Sequence, residues 1–169
     1  MKFLKTIRLD ASDEAVFEVA AAPDEWAIPG GFAFAGITAG ELTGKTRQAF
    51  ANGFLSLQSL GRSTFASVAG ITAEECDALT RQLAGHLHAS FGAPNRAAAE
   101  APARDEIAFV TGLCRDVPVN TLFTLRRTLD GSGEIREEFR TIAAPRGVPH
   151  ARVWEIVDDD GDGAGRGAG

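Results

Sequence analysis

The most constraining feature of the sequence is a pair of alternating segments, TLFTLRRTL (121–129) and EIREEFRTI (134–142), joined by the turn residues DGSG. Apolar and polar residues alternate in both segments, which is typical of neighbouring β-strands with one face towards a core. The apolar residues align in only one register, and that register also pairs opposite charges across the strands. The pattern therefore predicts a hairpin with these pairs: Leu125–Phe139, Leu129–Ile135, Arg127–Glu137 and Arg126–Glu138.

Two helices are predicted before the hairpin. The first covers 73–91, because Thr72 and Glu75 match a capping box and apolar residues follow at spacings of three and four. Its predicted buried stripe is Cys76, Leu79, Leu83 and Leu87. The segment 92–102 is rich in small residues and is predicted to be a flexible connector. The second helix is expected to start near Pro102, with Asp105 and Glu106 in its first turn.

Shorter segments complete a prediction of an α+β fold. Helix 44–52 should begin at Thr43 and end at Gly53 in a left-handed conformation. Strands come first and last with the helices grouped between them, which favours a mainly antiparallel sheet with a central helical pair and a C-terminal hairpin. We expect one domain over 1–158 and a disordered, acidic and glycine-rich tail over 159–169. The remaining predicted strands are 2–9, VFEVA (16–20), FAFAG (32–36), 62–69 and 152–157.

Composition limits the function classes. The net charge of −6 and the pI of about 5.1 disfavour nucleic-acid binding, which requires a basic face. No apolar run is long enough to span a membrane, and the N-terminus lacks the pattern of a signal peptide, so a cytoplasmic location is expected. Cys76 and Cys114 do not form a CxxC pair and are interpreted as reduced core residues. A reactive thiol or a bridge between them is the alternative.

The segment AGELTGKT (39–46) resembles a loose nucleotide-binding P-loop. That reading requires a buried parallel strand before the loop, whereas the other strands are of the hairpin type. It would also place the Glu41 carboxylate in a loop that holds polyphosphate. The start of a helix at Thr43 is therefore favoured, and nucleotide binding by Lys45 is judged the weaker alternative.

No metal, cofactor or catalytic residue is predicted. Asp158, Asp160 and Asp162 match only the first half of an EF-hand loop, since the bidentate Glu it needs is replaced by Gly169. His86 and His88 are two apart on a helix and therefore point in different directions. His150 lies in a predicted loop.

The segment from 26 to 65 interleaves small, aromatic and basic residues, and it contains the predicted partner-binding surface. Glycines allow close backbone approach, and basic side chains suit an anionic partner. Ordinary packing with solvated charges is the alternative. The residues chosen for this surface are Trp26, Arg47, Gln48, Asn52 and Arg62.

The stretches GGFAFAG, LTGKTRQAFANGFLSL and GRSTF, with the hairpin and the VWEIV ending, resemble a family of uncharacterised alphaproteobacterial proteins, a domain of unknown function. The resemblance covers most of residues 1–158. It carries no established activity, but such proteins are encoded near redox-enzyme maturation and biotin/lipoate-ligase-like genes, which implies an accessory role.

The predicted function is therefore a small non-catalytic accessory protein that binds another protein, in redox-enzyme maturation or assembly. The alternative is an enzyme or a small-ligand-binding protein with an unrecognised site. An enzyme should have a deep pocket with converging polar groups, whereas a protein-binding module should have a shallow apolar patch with a polar rim.

Overall fold

A computed structural model describes residues 1–142 of the chain. It contains a curled, seven-stranded antiparallel sheet and a pair of long helices, which confirms the α+β class. The strand order is β4-β3-β2-β1-β5-β6-β7. The strands are β1 Lys2–Ile7, β2 Trp26–Ile28, β3 Phe54–Ser56, β4 Arg62–Ser63, β5 Phe65–Gly70, β6 Leu122–Leu129 and β7 Ile135–Ile142. The α-helices are α1 Ser12–Val16, α2 Gly44–Asn52, α3 Ala73–Ser90 and α4 Arg96–Cys114.

The centre of the sheet is covered by α4, and α3 packs against α4. Leu4 pairs with Val68, and Ala66 pairs with Phe123, so these four buried side chains point to the same side of adjacent strands. From α3, Leu83 is fully buried in the same apolar core. Among residues 1–142, no helix is both long and apolar enough to cross a membrane.

Helix α3 forms as the sequence predicts. The Thr72 hydroxyl accepts a hydrogen bond of 3.1 Å from the Glu75 N–H, and the Glu75 carboxylate accepts one of 2.8 Å from the Thr72 N–H. This reciprocal cap satisfies two backbone donors that would otherwise have no partner within the helix. The predicted stripe of Cys76, Leu79, Leu83 and Leu87 is buried.

Helix α4 corrects the sequence prediction, because it begins at Arg96 rather than near Pro102. The Asn95 side chain caps it by accepting a 2.8 Å hydrogen bond from the Ala98 N–H. The segment predicted as a connector is helical because its alanines are strong helix formers and because Ala99 and Ala103 are fully buried. Pro102 lies on the exposed side within the helix. Glu106 is therefore in the middle of α4, not in its first turn.

Two predicted strands are wrong. Within VFEVA, Val16 ends helix α1, and Ala20 forms only an isolated bridge with Arg62. FAFAG forms a 3₁₀ turn over Gly31–Phe34 because Gly30 and Gly36, with φ of 68° and 77°, interrupt any extended conformation on both sides. The strand in this region lies earlier, in β2.

The other short elements agree with the prediction more closely. The segment 62–69 forms β4 and β5, which are separated at Thr64. Helix α2 has the predicted bounds, but its caps differ from expectation. Thr43 makes no side-chain capping hydrogen bond, and Gly53 has a φ of −89° rather than a left-handed value.

The hairpin has the predicted register. Leu125 lies opposite Phe139, and Arg127 lies opposite Glu137. The further predicted pairs, Arg126–Glu138 and Leu129–Ile135, are also present. The predicted strand 152–157, His150 and the tail 159–169 lie outside the described residues.

Candidate functional site

An open cleft of about 750 Å³ lies where α4 meets the last strand of the sheet. Three segments form it: the 3₁₀ turn that follows β2, the middle of α4, and β7. Its walls are mostly apolar, with two carboxyl groups at its polar end. The lining residues are Gly31, Phe32 and Ala35 from the turn region, Glu106, Phe109 and Leu113 from α4, and Ile135, Glu137 and Phe139 from β7.

The periodicity of each element places its side chains in the cleft. Glu106, Phe109 and Leu113 are three and four residues apart, so they share one side of α4. Alternation along β7 places Glu137 between two apolar neighbours on the same face. The Phe109 and Phe139 rings meet across the cleft with their centroids 5.7 Å apart.

Two glycines allow the turn to approach the sheet. Gly30 has a φ of 68°, and a Cβ there would lie 2.5 Å from the Cβ of Leu55. A Cβ on Gly31 would collide with the Glu137 carboxylate oxygen Oε1. Since a larger residue would displace the Glu137 carboxylate, glycine at position 31 leaves room for this carboxyl group of the cleft.

Arg127 lies beneath the polar end of the cleft, with a side chain that is fully buried. Its Nε donates a 2.9 Å hydrogen bond to Glu137 Oε1. Nη1 donates to the carbonyl oxygens of Phe50 and Gly53 at 3.1 and 3.0 Å, and Nη2 donates to the carbonyl oxygen of Pro29. The guanidinium therefore joins β6, β7, α2 and the turn at one point, and its ion pair holds the Glu137 carboxylate.

A second buried cation adjoins the first. Arg62 donates a 3.1 Å hydrogen bond to the Gly53 carbonyl oxygen, which Arg127 also contacts. The guanidinium carbons of Arg62 and Arg127 lie 4.7 and 5.6 Å from the ring centroid of Phe34, whose face attracts both cations. Burial, with Arg127 nearby, lowers the pKa of Arg62 to about 9, which leaves it charged at neutral pH.

Glu106 is the less compensated carboxyl group of the cleft. Its side chain is half-buried on α4, and among residues 1–142 it takes part in none of the salt bridges. Burial raises the pKa of Glu106, and the neighbouring Glu137 carboxylate raises it further. The Gly30 N–H and the Arg127 cation oppose these effects. The protonated form is therefore easier to reach here than on the surface.

The predicted partner-binding residues lie elsewhere. Trp26 is half-buried, packs edge-to-face on Phe3 at 5.9 Å and lies under the Lys5 ammonium. Arg47 and Gln48 are exposed on α2, and Asn52 is half-buried near its end. Arg62 is buried beneath the cleft, with 9% of its surface exposed. None of these five residues lines the cleft.

The P-loop-like segment lacks the context that phosphate binding needs. A 3₁₀ turn, Ala39–Glu41, leads into α2 where a P-loop has a parallel strand. The exposed Glu41 carboxylate accepts hydrogen bonds from the Thr38 N–H and hydroxyl at 2.7 and 2.8 Å. Lys45 is exposed in the first turn of the helix. The structure therefore favours the helix-start interpretation.

The histidines and cysteines have structural surroundings. His86 Nε2 lies 2.8 Å from the Leu57 carbonyl oxygen, and His88, which is exposed, lies 3.1 Å from that of Ala93. Cys76 and Cys114 are buried free thiols, as expected, and burial raises the pKa of Cys114 to about 12. Within residues 1–142, no group of three or more His, Cys, Asp or Glu side chains could hold a metal ion.

Sequence reasoning missed the cleft, although one signal for it was present. The hairpin register predicts the Arg127–Glu137 pair, which by itself indicates only a cross-strand contact. The signal for a buried site is the face of the hairpin on which the pair lies. Arg127 and Glu137 share that face with Leu125 and Phe139, where an apolar core is expected. Glu106 gave no such signal, since its assignment to a first turn explained its charge.

Fold and site together define an α+β protein with a curled antiparallel sheet and an apolar cleft that ends in two carboxyl groups. Residues 1–153 match the model of a family described as a family of unknown function, DUF6505, and the chain belongs to that family. No curated protein and no solved structure matches the chain.

Proposed function

We propose that this protein binds a small, largely apolar molecule in the cleft between α4 and β7. The observation that carries the proposal is the combination of volume and lining. A cleft of about 750 Å³ has the size of a small-molecule site, and apolar walls with a few placed polar groups are typical of such sites.

The surroundings of the cleft support a preformed site. Hydrogen bonds from the buried Arg127 hold the start of the turn at Pro29 and the Glu137 carboxylate before any ligand arrives, so binding need not order them. Phe109 is 47% exposed at the cleft, although such a large apolar side chain gains about 1.5–3 kcal/mol from full burial. A bound apolar molecule would cover part of this surface.

Nile red, a neutral dye whose emission depends on polarity, provides the direct test. We expect saturable binding at one site per chain with a blue-shifted emission. Ala35→Trp should weaken it at least tenfold, because the new indole occupies space at the cleft wall. Ala101→Trp, on the exposed side of α4, is the matched control and should bind as the parent does. Non-saturable binding, or equal binding by both variants, would overturn the proposal.

Several expectations from the sequence stay predictions. These are the accessory role in redox-enzyme maturation or assembly, the protein partner, the cytoplasmic location, the absence of nucleic-acid binding and the alphaproteobacterial range of the family. The partner-binding surface of Trp26, Arg47, Gln48, Asn52 and Arg62 is one of them. The test is capture of a protein partner. If Arg47→Ala and Gln48→Ala weaken that capture and leave Nile red binding unchanged, the result would support a partner-binding surface separate from the cleft.

A further inference from the structure

We infer that the cleft selects an organic ammonium ion with an apolar body, whose charged nitrogen is held between the Glu106 and Glu137 carboxylates. The inference rests on the proposed function and adds the chemical class of the ligand. It stands on three features of the cleft: the two carboxyl groups at its polar end, the unavailability of the nearby cations, and the aromatic walls.

The two carboxyl groups are the only charged groups that line the cleft within the described residues. Glu106 reaches it from α4, and Glu137 reaches it from β7 on the opposite wall. Glu137 keeps one oxygen on Arg127 Nε, and its side chain is 24% exposed, so its carboxylate is accessible from the cleft. A cation between the two groups would reduce their mutual repulsion and provide Glu106 with an ionic partner.

The buried cations do not offer a site for an anion. The Arg127 side chain is fully buried, and its nitrogen atoms already donate to Glu137 and to backbone carbonyls. Arg62 lies beneath Phe34 and donates to Gly53. A carboxylate ligand would therefore have to displace Glu137 from its ion pair and would meet Glu106 as well.

The walls favour the same ligand class. Phe32, Phe109 and Phe139 line the cleft, and aromatic faces attract ammonium ions as well as hydrocarbon. Leu113 and Ile135 add aliphatic surface. An apolar body would thus bury its hydrocarbon against the walls while its ammonium reaches the carboxylates.

Protonation of Glu106 should compete with binding. The charged groups that act on it are Glu137 of β7, which raises its pKa, and Arg127 of β6, which lowers it. The Gly30 N–H from the turn also favours the carboxylate form. An ammonium ion prefers the ionised carboxyl group, so its binding should release protons when Glu106 is partly protonated and should weaken as the pH falls.

The experiment compares three ligands of equal chain length, octylamine, octanol and octanoate, in displacing Nile red at pH 8 below their micelle-forming concentrations. Octylamine should bind at least about tenfold more tightly than octanol, as expected for charge-assisted hydrogen bonds, and octanoate should bind most weakly. Glu106→Gln should remove most of the preference for octylamine over octanol. Glu100→Gln, an exposed change on the same helix, should retain it.

The outcomes separate the two proposals. Equal affinity for octylamine and octanol, or tighter binding of octanoate, would overturn the ammonium inference and leave the apolar cleft standing. Failure of Nile red and all three ligands to bind would overturn both. The comparison needs only the unmodified chain, so it remains decisive if Glu106→Gln does not fold. Calorimetry in two buffers of different ionisation enthalpy should show proton release on octylamine binding as the pH is lowered, and its absence would count against Glu106 as the contact.

Discussion

Two regions of the sheet are covered in different ways. In the middle, the helical pair covers the sheet, and Leu83 of α3 is fully buried in one apolar core with Leu4 and Val68 of the strands. Near the turn of the β6–β7 hairpin, the same face of the sheet carries Arg127 and Glu137. There the helices leave an open cleft. We call the region under the helical pair the closed end and the region under the cleft the open end.

This difference shows where the fold departs from the arrangement that stability alone would favour. Apolar packing could have continued along β6 and β7, since replacing buried ion pairs by well-packed apolar residues is often neutral or stabilising. Instead, the open end has buried charges, a left-handed glycine and exposed aromatic surface. Violations of local rules that gather at one place are typical of functional sites.

The largest effect is expected when the open end loses its central cation. Arg127→Met keeps much of the volume but removes the donor to the Pro29 and Phe50 carbonyl oxygens and to Glu137, whereas the Gly53 carbonyl keeps its hydrogen bond from Arg62. We expect a loss of about 3–5 kcal/mol in the free energy of unfolding, measured by urea denaturation at pH 7.

Arg126 is the matched control for this change. It is the preceding residue of the same strand, but it is exposed on the other face opposite Glu138. Arg126→Met should change stability by no more than about 0.5 kcal/mol. Similar losses of stability in the two variants would show that the hydrogen bonds of the buried Arg127 do not stabilise the open end.

At the closed end, we expect the protein to lose stability when a cavity is created, because the side chains there are apolar. Leu83→Ala removes a fully buried side chain from the core beneath α3, which should cost about 2–5 kcal/mol. Nile red binding to the folded fraction should be unchanged, because Leu83 does not line the cleft. Loss of dye binding in a folded Leu83→Ala protein would mean that the two ends do not behave independently.

The smallest effect concerns the turn that joins β6 and β7. Hydrogen bonds from the Ser132 hydroxyl and from the N–H groups of Glu134 and Ser132 lower the pKa of Asp130 from 3.8 to about 2. Because this carboxyl is ionised more easily in the folded state, its contribution is present above about pH 3.8 and is lost as the pH falls towards 2. Asp130→Asn should make the free energy of unfolding less dependent on pH between about 2 and 3.8, and it should leave the cleft intact. An unchanged acid profile would show that the turn makes no such contribution.

Much of the fold was predictable because local patterns fixed it. The capping box at Thr72, the leucine spacing of α3 and the hairpin register each follow from chemistry within a short segment or between two adjacent ones. Misassignments arose where two local rules competed. Alanine propensity outweighed Pro102 at the start of α4, and positive-φ glycines outweighed alternation in FAFAG.

By itself, the sequence determined the α+β class, the helical pair and the pairing of Arg127 with Glu137. Only the tertiary structure decided that Arg127 of this pair is buried and that Glu106, thirty-one positions earlier than Glu137 in the sequence, lines the same cleft as Glu137. The physical reason is that burial depends on which elements cover a given part of the sheet. The curl of seven strands and the length of α4 set that coverage, and neither can be read from the periodicity of one segment.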